Sequence, residues 1–415
     1  MAGDEPTIGM SPGVLAVSQM ERLFENGAIS FKDKRPDIDA SGFDLRVGTT
    51  AWRVKHGQRP ATRELARLKT ESEPVFPKSD SNGDFFCFNK NEVYLIELDH
   101  FLKLPANING RATGKSSIGR LDVITRLLTD NSSEYDTVEA GYTGPLHLLI
   151  QPKTFSVKVP PGASLNQLRL FSGPPGASII TRSLIRSFDT PFWYVPYPGR
   201  SPDYKCWEEL VAEYNRSMIV DPIVFDLTVE LDDPDSTFIY RAKKLTDPEP
   251  IDLRKGKASH RPEDYFEKVG IEVDGATRRV DLEENRFYIM KSKERLFIPI
   301  DVAVEVVAIS ERIGDIRIHY AGFAHSGFGR YREPKSQEVL STKRGTPLIF
   351  EVRATDMATR LYDGSLLARI QLFRMSALTK WKSSLYDVQE LNLSSYFKDW
   401  SEDINDDTNP DGHSD

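Results

Sequence analysis

FDLRVG, at residues 43–48, alternates apolar and polar side chains and stops at a glycine, which is the pattern of a half-buried β-strand. Similar short runs follow it: VYLIEL (93–98), LHLLI (146–150) and FSVKV (155–159), divided by Gly, Pro, Asn and Asp. That spacing predicts a mainly β chain, a sandwich or jelly roll decorated by a few short helices. The triplet FDL then returns at 225–227, and the match continues beyond it. WRVK (52–55) is answered by YRAK (240–243), and AGYTG (140–144) by HSGFG (325–329). Asn91, Tyr94 and Pro105 are answered at identical spacing by Asn285, Tyr288 and Pro299. GASLNQLRLF (162–171) is answered by GSLLARIQLF (364–373). Matches in the same order in both halves imply two homologous β domains fused in tandem. A fused duplicate predicts a closed, pseudo-symmetric homo-oligomer.

The composition suits such a chain. It has 415 residues, 39 % hydrophobic and 28 % charged, enough for two domains with sizeable cores. The boundaries read as a first domain over 1–171, a Pro/Gly-rich linker over 172–205, and a second domain over 206–375. A C-terminal segment over 376–398 and an acidic, apolar-poor tail over 399–415 follow, the tail expected to be disordered. The aromatic run Phe192, Trp193, Tyr194 and Tyr197 reads as linker packing. One helix is expected near the start, capped by Ser11, with Pro12 at its first position, a stripe of Val14, Leu15, Met20, Leu23 and Phe24, and Gly27 at its end. No apolar run is long enough for a membrane helix, and the N-terminus lacks the pattern of a signal peptide. A net charge of −8 argues against a nucleic-acid polymer as partner, though not against a local pocket for a small anion. Two cysteines, Cys87 and Cys206, cannot build a disulfide framework or a thiolate zinc site, which points to a cytoplasmic setting.

Two places carry candidate chemistry. GRATGKSSIGR (110–120) gathers glycines, Arg111, Lys115, Ser116, Ser117 and Arg120 in a turn-rich stretch suited to phosphate oxygens. It is one residue short of a Walker A loop, and a basic surface turn is the plain alternative. Glu351 lies inside PLIFEVR, where a buried strand is expected. A carboxylate there is costly unless paired or used, and burial should raise its pKa toward that of a general acid/base. The alternative is a core Glu paired with Arg353 or another arginine. In the repeat register Pro145 aligns with Pro347 and Gly162 with Gly364, so Leu149 holds the first half's equivalent of Glu351. The second half, reading VAVEVVAISERIG, has no counterpart of KSSIGR. One half offers the phosphate grip and the other the carboxylate. The histidines, His319 and His325 included, show no zinc-protease or zinc-deaminase spacing.

GRATGKSSIGRLDV, TVEAGYTGPL and GASLNQLRL resemble the dCTP deaminase/dUTPase superfamily, and within it the double-length bacterial dCTP deaminases, from about Gly13 to Lys398. The resemblance implies two tandem dUTPase-like distorted jelly rolls packed around a pseudo-threefold axis. It implies hydrolytic removal of ammonia from C4 of dCTP to give dUTP, without zinc, with Mg²⁺ riding on the triphosphate. Carried over by position, Lys115, Ser116, Ser117 and Arg120 would hold the phosphates. Glu351 would be the catalytic glutamate, and the backbone carbonyl of Ala321 would help hold the water. Tyr386 and Gln389 would belong to a lid in the 376–398 segment, and dUTP or dTTP are further nucleotide candidates. There are departures. Leu149 replaces a glutamate, His325 stands where Asp is usual, and the lid reads YDVQELNL without the usual glycine. Glu139 sits where dUTPases place a water-activating Asp, so a dUTPase-like pyrophosphatase is one alternative. A nucleotide-binding regulator without turnover is another.

Overall fold

The protein is described from a computed structural model covering residues 11–55, 65–130, 132, 134–181, 193–194, 204–205, 224–234, 236–309, 316–318, 322–332, 339–341, 345–355, 357–379 and 389–400. Ala321, Tyr386, His319, Cys206 and the acidic tail beyond Trp400 lie outside these residues. Three α-helices occur among the described residues: α1 (Val17–Glu25), α2 (Leu65–Glu71) and α3 (Ser116–Gly119). None is long and apolar enough to cross a membrane. The rest is mainly antiparallel β-structure.

In the first half β1 (Phe43–Val54), β2 (Val93–Lys103), β3 (Ile108–Gly114), β4 (Val123–Leu128), β5 (Thr143–Pro152) and β6 (Ser164–Ser172) hydrogen-bond in the order β3-β6-β1-β2-β5-β4. In the second half β7 (Val224–Thr228) and β8 (Phe238–Ala242) together match β1, while β9 (Phe287–Leu296), β10 (Val302–Ala308), β11 (Thr346–Ala354) and β12 (Leu366–Arg374) match β2, β3, β5 and β6, and the short strand Ile316–Ile318 pairs with β11 as β4 pairs with β5. There β7-β12-β10 and β8-β9-β11 lie in separate sheets.

The repeat is visible in the strand register. Phe43 faces Leu168 and Phe225 faces Ile370. Ile150 faces Tyr94 and Val352 faces Tyr288, so Leu149 and Glu351 are equivalent positions one step along the same ladder. Local devices repeat too. Asn91 and Asn285 both adopt positive φ, 64° and 55°, and donate their backbone N–H to Pro152 and Ala354. The phenol oxygens of Tyr94 and Tyr288 accept the backbone N–H of Asn89 and Glu283. Asn tolerates the left-handed region better than most residues, which explains why it survives in both turns.

The opening helix starts later than the sequence suggests. Gly13–Val14 is a short strand paired with Phe171 and Ser172, and α1 follows Ala16 rather than Ser11. The reason is tertiary. Val14 and Leu15 are fully buried in extended backbone, and a Cβ on Gly13 would lie 2.5 Å from the backbone nitrogen of Ser376. The halves are joined through their cores as well. Phe155 packs edge-on against Tyr265 and Phe266, with ring centres 5.2 and 5.6 Å away. Pro175–Ser178 forms a 3₁₀ turn, and Trp193–Tyr194 pairs with Arg295 and Leu296.

Candidate active site

The sequence GKSSIGR folds locally as strand, short helix and turn. β3 ends at Gly114, Lys115 caps α3 in extended conformation, and Arg120 closes it. The lysine carbonyl accepts the N–H groups of Ile118 and Gly119, which turns Ser116 and Ser117 outward while Ile118 is buried. Glu351 stands on β11, beside Ile289 of β9. A cavity of about 830 Å³ joins the two halves. Lys115, Ser116, Ser117 and Arg120 line it from the first half, and His325, Ile349, Glu351 and Gln389 from the second. The Ser116–Arg120 turn and the carboxylate therefore meet within one chain.

Arg120 organises this meeting. Its side chain is buried, and Nε lies 3.8 Å from Oε1 of Glu351, an ionic contact longer than a hydrogen bond. Glu351 thus faces Arg120 and not Arg353. Nη2 of Arg120 donates to Oε1 of Gln389 at 2.9 Å, and Nη1 donates to Oδ1 of Asn392 and to the Leu393 carbonyl. Ser394 donates to the Ser117 carbonyl at 2.6 Å. The C-terminal segment is thereby closed over the Ser116–Arg120 turn. Glu351 is 2 % exposed and its Oε1 has no hydrogen bond. Burial pushes its carboxyl up to about 8, with Arg120 pulling down and Asp122 adding to the rise.

Lys115 pairs with Asp44 of β1. Burial raises the Asp44 carboxyl, and the lysine ammonium opposes that rise. Arg169, on β6, is fully buried against the same cavity and is held by the carbonyls of Val304 and Ala324 and the hydroxyl of Ser41. Its guanidinium lies 4.0 Å from the Phe323 ring centre, and burial lowers it to about 10. His325 is half-buried and packs edge-on against Phe328. Glu139 is exposed and lines neither this cavity nor the second one, of about 420 Å³, that touches Glu351 from behind.

Sequence reasoning missed Asp44, Arg169 and Asn392. The first two carry a weak signal, a charge inside the strand runs FDLRVG and GASLNQLRLF. Asn392 carries none, because only the return of the C-terminal segment brings it to Arg120. No cluster of three or more potential metal ligands occurs among the described residues.

Residues 11–174 match the family model described as the 2'-deoxycytidine 5'-triphosphate deaminase N-terminal domain, and residues 201–397 match the C-terminal domain of the same family. A curated relative from Parafrankia sp. (strain EAN1pec), "dCTP deaminase, dUMP-forming", is 31 % identical over 136 residues, covering 32 % of this chain and 63 % of the relative. The protein of the same name from Acidothermus cellulolyticus is 33 % identical over 94 residues, covering 22 % of this chain and 46 % of that one. The chain thus spans less than two thirds of either. The crystal structure of 2'-deoxycytidine 5'-triphosphate deaminase from Agrobacterium tumefaciens is similar over 89 % of this chain and 99 % of that one, with TM-score 0.70 and 26 % identity. With both domains of one family matched in order along its length, this chain belongs to the 2'-deoxycytidine 5'-triphosphate deaminase family.

Proposed function

We propose that the protein hydrolyses dCTP to dUTP and ammonia in the cavity between its halves. The observation that carries this is the placement of Glu351 and of the Ser116–Arg120 turn on opposite walls of one cavity. Ser116, Ser117, Lys115 and Arg120 hold the triphosphate, which arrives with its own Mg²⁺ as part of the substrate. Lys115 exchanges its bond to Asp44 for a phosphate oxygen. Gln389 and, by family position, Tyr386 and the carbonyl of Ala321 complete the enclosure. An oligomer of pseudo-threefold packing in the cytoplasm fits the same reading.

The raised carboxyl of Glu351 sets the order of proton movements. At neutral pH it is mostly the neutral acid. It gives its proton to N3 of the cytosine, which makes C4 more electrophilic. The resulting carboxylate, steadied by Arg120, takes a proton from water as the water oxygen bonds to C4. That proton passes to the amino group, the C4–N bond breaks, and ammonia leaves. The C4 hydroxyl returns the last proton to Glu351, leaving uracil. A group titrating near the working pH serves well in both directions.

The test is a product assay with dCTP and Mg²⁺, and separately with dUTP, with nucleotides resolved by chromatography. The proposal expects dUTP from dCTP, lost in Glu351→Gln. The relatives are named dUMP-forming, which makes dUMP the second product to look for. Diphosphate release from dUTP would move chemistry to another site such as Glu139. Nucleotide binding with no turnover would refute the enzyme and leave a regulator.

A further inference from the structure

Two residues beyond Arg120 and two beyond Glu351 lies a second, oppositely oriented ion pair. Asp122 follows Arg120 at positive φ, 57°, and is fixed through its own backbone. Its N–H donates to the Gly119 carbonyl and its carbonyl accepts from Lys153. Arg353 follows Glu351 on β11, so their side chains share a face. Nη2 of Arg353 donates to Asp122 Oδ2 and, at 2.8 Å, to Oγ1 of Thr154. Nη1 donates to the Asn285 carbonyl. Asp122 is 2 % exposed at its side chain and Arg353 16 %.

The duplication shows what this arginine adds. In the first half Gln151 stands at the position of Arg353, and its Nε2 reaches the Asn91 carbonyl, the equivalent of Asn285. Glutamine makes that one contact. Arginine makes it and has a second hand for Asp122 across the inter-half boundary. Leu149 and Gln151 lack both members of the carboxylate–guanidinium pair that Glu351 and Arg353 supply together. Arg353 also faces Arg317 across the strand pair, a like-charge neighbour that Asp122 offsets.

We propose that Asp122 and Arg353 are positioning residues that hold the α3 turn and β11 in register, and so fix Arg120 against Glu351. This rests on Glu351 as the proton carrier of the proposed deamination. The charged groups around Glu351 are Arg120 and Asp122 from the α3 turn, Arg353 on its own strand, Arg317 on the neighbouring strand, and Lys153 beside Arg353. Removing the negative charge of Asp122 makes Glu351 easier to ionise, and removing the positive charge of Arg353 makes it harder.

The experiment compares Asp122→Asn, Arg353→Gln, the double variant and Arg353→Lys. The expected kcat for dCTP falls about tenfold to a hundredfold in each single variant with KM within about threefold, and the double variant is no worse than the weaker single one. The pH midpoint of kcat/KM moves down in Asp122→Asn and up in Arg353→Gln, while Arg353→Lys stays near the parent. A role confined to stability lowers the melting temperature without moving these midpoints. If the parent does not turn over dCTP, Glu351 is titrated without substrate, through the pH at which replacing it by Gln stops adding stability. Opposite shifts of that midpoint in the two backgrounds support the pairing. Equal, same-direction or absent shifts overturn it, whatever the reaction.

Discussion

Replacing Glu351 by Gln should stabilise the protein, and the gain should grow with pH. The carboxyl has an ordinary value of 4.5 and is held at about 8 in the fold. Between those values the folded chain binds one proton that the unfolded chain has released. Stability of the parent therefore falls by about 1.4 kcal/mol for each pH unit across that window, and stops falling above about 8. Glutamine has no proton to lose. Because Oε1 of Glu351 accepts no hydrogen bond, the amide gives up none there. The variant's advantage is then near zero at pH 4.5 and rises to an upper figure of roughly 5 kcal/mol at pH 8 to 9. Urea denaturation of both proteins at unit pH steps measures it as a growing difference in midpoint. A pH-independent difference, or an advantage that shrinks as pH rises, would refute the reasoning, because it would mean that Glu351 is already ionised in the folded chain. Loss of activity alongside gain of stability is the usual signature of a strained functional group.

Other expectations follow from the same geometry. In the proposed order of proton transfers kcat/KM for dCTP is flat below about pH 8 and falls tenfold per unit above it; a rate that climbs through that range would show that the carboxylate acts first. Arg120→Met leaves Gln389, Asn392 and the Leu393 carbonyl without their charged donor and the C-terminal segment without its anchor, and should cost about 1–3 kcal/mol in denaturation together with nucleotide affinity. Leu149→Glu puts a carboxyl among Val54, Leu65, Leu95 and Leu128, opposite an Arg126 that is already paired with Asp136, and should destabilise the chain by several kcal/mol without adding deamination. Gly13→Ala drives a methyl into the Ser376 backbone and should lower stability by about 1–3 kcal/mol, measured by thermal unfolding.

Much of this was legible in the sequence. The duplication, the strands around FDLRVG and LHLLI, and the asymmetry of Leu149 and Glu351 follow from pattern and spacing, because a strand's two-residue period ties each side chain to a face and a register. A charged residue in an apolar strand marks a cost, and so marks Glu351. What pairs with it is a different kind of fact. Arg353 is its neighbour in sequence, yet the side chain that faces Glu351 is Arg120, more than two hundred residues away. The value near 8 likewise comes from burial between two halves, which no local stretch contains. Gly13–Val14 is a strand and not the start of a helix because it is squeezed between Phe171 and Ser376, a contact that helix propensity does not weigh. The sequence alone determined the repeating β-architecture and which residues are candidates for chemistry. Only the tertiary structure decided that the Ser116–Arg120 turn of one half meets the carboxylate of the other within one chain, because long-range contacts are set by how the duplicated domains pack, while local patterns record only which face each side chain occupies.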